Sequence, residues 1–231
     1  MIPGLTSPER DTKSRVIWFA TLGVLLGSTR AGAQLCTGAP SFRRPVQVSV
    51  GALFNSEAKS LVAGLAVGSH GVFGEGQLGT TYHDALDGSS FDFGAGVGYQ
   101  LTLDKQARAQ VCPMAGVGFV SGPKNIQGSG NGYSETDVQL GLAAGVVVLR
   151  AKQLQLVPTA SIAYAHASGN LENAFGVGTS YSASFGILGL GMGVEFSRQV
   201  SLIPAVSIPF NVRGAHTSWG FTVAVNMTGA H

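Results

Sequence analysis

Glu75, Asp92 and Glu195 are acids set in apolar, glycine-rich sequence, and carboxyls brought together in pairs could divide acid and base work between them. Whether they do depends on what positions them. The series Gly94-Ala95-Gly96-Val97-Gly98-Tyr99 has the composition of a phosphate-cradling loop, but such a loop must open a helix, and these glycines fall at every second place. The histidines are spread too widely along the chain to suggest a metal site, and no cofactor is expected. Cys36 and Cys112 lack the C-x-x-C spacing of a reactive dithiol and read as one structural disulfide. Closing a loop of about 75 residues contributes on the order of 4 kcal/mol through chain entropy.

The acids are positioned by strands. Phe91, Phe93, Ala95, Val97, Tyr99, Leu101 and Leu103 occupy every second place, with Asp92, three glycines, Gln100 and Thr102 between them. Period two means a strand. Its apolar face is bulky and continuous, whereas the other is small and polar. A soluble sandwich needs the reverse; a transmembrane barrel needs this, with lipid outside. The same pattern gives ten strands, at about 46–54, 60–68, 72–82, 89–103, 107–120, 135–148, 153–165, 180–196, 200–210 and 219–227, with eight as the alternative count. Within the eighth, the apolar phase runs Tyr181, Ala183, Phe185, Ile187 and then shifts to Leu188, Leu190, Met192, which predicts a bulge.

The chain has 231 residues, of which 45% are hydrophobic and only 11% charged, with 34 glycines, yet no apolar run beyond the leader is long enough for a membrane helix. Residues 1–33 read as a cleaved signal peptide: Lys13 and Arg15 precede the apolar stretch Val16 to Leu26, and Ala31-Gly32-Ala33 offers a cleavage site. An uncleaved anchor is the rival. Leu35 before Cys36 argues against a lipoprotein. Removing the leader leaves ten bases and ten acids from the 14 and 12 of the whole chain, so no nucleic-acid partner is expected. Residues 34–44 read as a periplasmic lead-in and 45–231 as the barrel domain.

Short turns (69–71, 104–106, 151–152, 197–199) alternate with longer polar loops (55–59, 83–88, 121–134, 168–179, 211–218), which sorts turns to one rim and loops to the other. A proline enters the fifth, seventh and ninth strands (Pro113, Pro158, Pro204), predicting local bulges, and six residues beyond each stands an aromatic. The outward phase gives a girdle of Phe54, Tyr82, Phe91, Phe119, Tyr164, Tyr181, Phe210 and Trp219. The inward phase gives lumen-facing Glu75, Asp92, Gln100, Gln139 and Glu195, where polar groups bond neighbours or line water. Arg108, near the turn rim, is a candidate countercharge. Cys112 faces inward a few residues above that rim, within reach of Cys36.

The carriers Gly94-Ala-Gly96-Val-Gly98-Tyr99, Gly116-Val-Gly118-Phe119 and Gly189-Leu-Gly191-Met-Gly193 resemble the small outer-membrane β-barrel proteins of Gram-negative bacteria. The resemblance implies an all-β, closed, antiparallel, up-and-down transmembrane barrel in the outer membrane, with membrane lipid and the barrel assembly machinery as partners. It implies a structural protein or small passive pore, with surface-loop adhesion or interaction, or a lipid-modifying barrel enzyme, as the alternatives, and no catalytic residues are assigned. His216-Thr-Ser218 is similar to the His-x-Ser pair of lipid A deacylase barrels, but no downstream acid is available to orient the histidine. The oligomeric state is left open.

Overall fold

A computed structural model describes residues 36, 46–69, 71–84, 88–106, 108–122, 133–151, 153–172, 178–196, 199–212 and 215–227; the leader and most of the lead-in lie outside these. The strands are β1 (Val46–Phe54), β2 (Ala58–Ser69), β3 (Val72–His83), β4 (Gly88–Tyr99), β5 (Leu101–Thr102), β6 (Ala109–Ser121), β7 (Tyr133–Val146), β8 (Leu149–Arg150), β9 (Leu154–Glu172), β10 (Gly178–Phe196), β11 (Val200–Phe210) and β12 (Ser218–Met227). β5 and β8 are short continuations of β4 and β7. The ten long strands pair antiparallel in sequence order, and β12 pairs with β1, so the sheet closes on itself.

Partners followed around the ring from Val46 run through Val67, Gly74, Val97, Ala115, Leu140, Tyr164 and Gly186 to Phe210. The β11 residue level with Phe54 is Val206, reached through Trp219. Phe54 lies eight residues beyond Val46 and Phe210 four beyond Val206, so the ring closes with a shift of twelve residues. With strands about 4.8 Å apart and residues about 3.3 Å along them, that shift tilts the strands by roughly 40° and gives a radius of about 10 Å.

The faces are assigned as the alternation requires. Val97 is 60% exposed, and Phe93, Leu142 and Val225 are also exposed, whereas Gln139 is only 4% exposed on the inner face. Phe54, Tyr82, Phe91, Phe119, Tyr164, Phe210 and Trp219 all point outward near the loop ends. The Phe54 and Trp219 rings lie 5.0 Å apart, and Phe93 adds its ring 6.4 Å from that of Phe119. Tyr99 and Phe196 stand outside at the turn ends. Tyr164 is ten residues up β9 from Leu154, the partner of Phe196. At roughly 2.5 Å of rise per residue this is about 25 Å, the height of the apolar band of an outer-membrane barrel. Among the described residues, no outward side chain between these levels is charged.

Three expectations are corrected. β10 keeps an unbroken register with β9 from Gly178 to Phe196, so there is no bulge at Ile187. The strand has one phase, with Ser182 and Ser184 outward and Tyr181, Phe185 and Ile187 inward; Tyr181 therefore belongs to the lumen and not to the girdle. The loop expected at 168–179 is mostly strand, since β9 runs to Glu172 and β10 starts at Gly178. The third correction concerns the prolines, of which only Pro158 sits at a bulge. Gly145 pairs with Thr159 but Leu149 with Leu156, so β7 and β8 carry one extra residue opposite Pro158. Pro113 instead faces Tyr99, which the ladder to β6 skips between β4 and β5, and Pro204 faces Met192, which the β10–β11 ladder skips. In an antiparallel pair each N–H points to one neighbour only, so a proline interrupts the ladder on one side and leaves the other intact.

Candidate functional site in the barrel interior

The interior is organised in three layers by the inward phase of the strands. At the turn side, Cys112 on β6 is bonded to Cys36 with Cα atoms 6.3 Å apart. The pair packs with Phe73 and Ala143. Gln47 donates from Nε2 to Asn226 Oδ1 at 2.9 Å, and Gln100, Gln110, Gln155, Glu195 and Ser201 are buried at the same end.

The middle layer is thin because side chains lie flat over glycines of the next strand. Glu75 covers Gly96, Gln77 covers Gly94, Thr159 covers Gly191 and Ser161 covers Gly189; a Cβ on any of these glycines would collide with its cover. Glu75, Gln77, Met114, Thr159 and Ser161 are only half-buried, so this layer is the loosest part of the interior.

The loop side is packed in two halves. Leu53 of β1 packs with Ala165 and Ala167 of β9 and Phe185 and Ile187 of β10, reaching past β11 and β12 to bridge the lumen. Opposite runs a chain of hydrogen bonds across β2, β3 and β4. Ser60 donates to Thr81 at 2.8 Å, and Thr81 to Asp92 Oδ2 at 2.7 Å. Ser90 bonds His83 Nε2 at 2.9 Å and donates to Asp92 Oδ1 at 3.4 Å. On β7, Gln139 donates to Asp137 Oδ1 at 3.2 Å. Glu135 Oε2 accepts from Tyr181 at 2.6 Å and from Tyr133 at 3.2 Å. Tyr181 on β10 reaches β7 across β9 because its partner there is Gly169, where any Cβ would meet the tyrosine hydroxyl.

The expected lumen residues Glu75, Asp92, Gln100, Gln139 and Glu195 all face inward but occupy three different layers. Ser90 is 2% exposed and lies between histidine and aspartate, whereas a triad needs the histidine in the middle. Ser218 is buried and inward, while His216 lies in the preceding loop with Nε2 3.2 Å from Glu57 Oε1. Arg108 is exposed at the turn rim, where its backbone N–H and that of Ala109 donate to Asp104 Oδ1 at 2.6 and 3.0 Å. The N–H of Ala109 first, and that of Arg108, hold the Asp104 carboxyl below the usual carboxylate range. Leu53, His83, Glu135, Asp137 and Phe185 were missed as interior residues; extending each strand's inward phase to the loop end finds them.

No protein-family model matches the sequence, and no curated protein matches it. Solved structures do. The translocator domain of the autotransporter NalP from Neisseria meningitidis aligns with a TM-score of 0.50 at 12% identity, covering 79% of this chain and 86% of that one. The β domain of the Bordetella autotransporter BrkA gives 0.48 at 12% identity, covering 80% and 99%. A bacterial polysaccharide outer membrane secretin gives 0.46 at 8% identity, covering 80% of this chain and 66% of that one. At these identities the likeness is one of fold, and the fold is that of the outer-membrane β-barrels.

Proposed function

We propose that the protein is an integral outer-membrane barrel with a structural role, resting as a closed cylinder. What supports this is burial at both ends of the lumen: Cys112 and Leu53, at opposite ends, are both 0% exposed, although their side chains point to the barrel axis. A cation or sugar entering from either side meets packed side chains. Purified protein in planar bilayers is expected to give no conductance above background. Steady ohmic currents at low voltage would instead support a passive pore. Its partners are then membrane lipid around the wall and the machinery that assembles barrels; it is not an enzyme, and His216→Ala is expected to leave the lipid A mass spectrum unchanged.

A second reading is favoured by the wall's uneven height. β9 and β10 continue past the aromatic level with a polar outer face, on which Ser184 Oγ lies 2.8 Å from His166 Nδ1 and Ser180 donates to Asn170 Oδ1 at 2.7 Å. This hairpin is the surface for contact outside the cell. Shortening it to the level of Tyr164 should abolish any adhesion phenotype while the barrel still folds; unchanged adhesion rejects this role.

A further inference from the structure

Neither sulfur of the one disulfide can be reached by a protein once the ring is closed. Cys112 is 0% exposed and Cys36 3% exposed. Both lie against Phe73 and Ala143 inside the wall. The way in from the turn side passes Gln47, Gln110 and Gln155, all buried. A backbone ring of about 10 Å radius, filled by its own side chains, leaves no room for the active site of a folded oxidoreductase. Thiol–disulfide exchange proceeds through a mixed disulfide, so the attacking and attacked sulfurs must touch.

We infer that the Cys36–Cys112 bond is made before the barrel closes, by a thiol oxidase acting on the open chain. One cysteine thiolate attacks the disulfide of the oxidase, giving a mixed disulfide and freeing one of its thiols. The second cysteine then displaces the oxidase, which leaves as a dithiol carrying the two electrons. What reaches assembly is already a cross-linked chain. β6 stands four places from β1 around a ring of ten, so the bond ties the lead-in of the first strand to a facing wall before the intervening strands need be paired.

The test uses Cys36→Ser, which leaves Cys112 as a lone thiol. The variant is folded into detergent micelles, its closure is checked by heat-modifiable gel mobility, and it is mixed with a disulfide-loaded oxidase of the thioredoxin type. Mixed disulfide at Cys112 is expected to form at least about tenfold more slowly than with the same variant unfolded in urea. Equal rates would overturn the inference. The unmodified chain folded under reductant gives a second measurement. If the same oxidase leaves it reduced while oxidising the unfolded chain, or if the reduced chain fails to close at all, the order is supported. Complete oxidation of the closed, reduced barrel at the unfolded rate refutes it.

Discussion

Replacing Leu142 by arginine places a charge on the outer face of β7, where the leucine is 48% exposed. Its depth follows from the register. Val138 lies between Thr136, the partner of Phe119, and Leu140, the partner of Tyr164, and so sits at the aromatic level. Leu142 is four residues nearer the turns, roughly 10 Å deeper, and midway to Val146 at the turn end. An arginine at the midplane of an outer-membrane barrel costs about 2–4 kcal/mol, and near the interface about 0–1 kcal/mol. Leu142→Arg should therefore lower the folding constant by roughly 30- to 700-fold, at 1.4 kcal/mol per factor of ten, while Val138→Arg changes it by less than about tenfold.

The assay is urea unfolding of the barrel in phosphatidylcholine vesicles, followed by the fluorescence of Trp219, with an unchanged slope taken to mean an unchanged exposed area. Trp219 is suited to this because it sits in the outer aromatic level against Phe54. In a soluble fold both arginines would be solvated and both variants would lie within about 0.5 kcal/mol of the parent. Equal costs at the two depths, or a neutral Leu142→Arg, would refute the lipid-facing assignment.

Removing the disulfide by Cys36→Ser with Cys112→Ser should cost about 4 kcal/mol in the chain-entropy model, read as the same urea midpoint shift that reductant produces in the parent and fails to produce in the variant. Gly169→Val puts a side chain where the Tyr181 hydroxyl now passes and should cost about 1–3 kcal/mol by overpacking; adding Tyr181→Phe to it should cost less than the two single changes together, because both break the same Glu135 contact, and strict additivity would count against that shared contact. Asp104 is held below its ordinary range in the folded turn, so its contribution is present above the unfolded-state value and is lost as pH falls through the folded one. The gap in urea midpoint between the parent and Asp104→Ala should thus close in acid and stay constant through neutral pH; a gap unchanged in acid contradicts this.

Within the height of the membrane, alternation is enough to read the wall. Lipid demands apolar groups outside and the small radius demands small ones inside, so β1 to β4 and the lower part of β7 have faces that can be assigned by counting in twos. Above the aromatic level that rule fails, and β10 shows why. Its outer face there meets water and takes Ser182 and Ser184, while its inner face must fill the barrel and takes Tyr181 and Phe185. An apolar run taken as outward along its whole length then shows a false change of phase where only its surroundings change. The interior contacts were equally illegible. Tyr181 and Glu135 are 46 positions apart in sequence and meet only because Gly169 lies between them in the register.

The closing shift of twelve residues explains why packing and exposure are distributed unevenly around the ring. β11, β12 and β1 end at the aromatic level, with Phe210, Trp219 and Phe54 at or next to their loop ends. β9 and β10 rise well beyond it and would expose two long unsupported strands. Their inner face is held instead by the Tyr133, Glu135 and Tyr181 contacts to β7 and by Leu53 packing from across the lumen. The same side chains that brace the tall wall therefore close the loop end of the barrel. A variant that opened the lumen by removing Leu53 or Phe185 would also loosen the β9–β10 hairpin, so in this fold a wide passage and a rigid outer hairpin exclude each other.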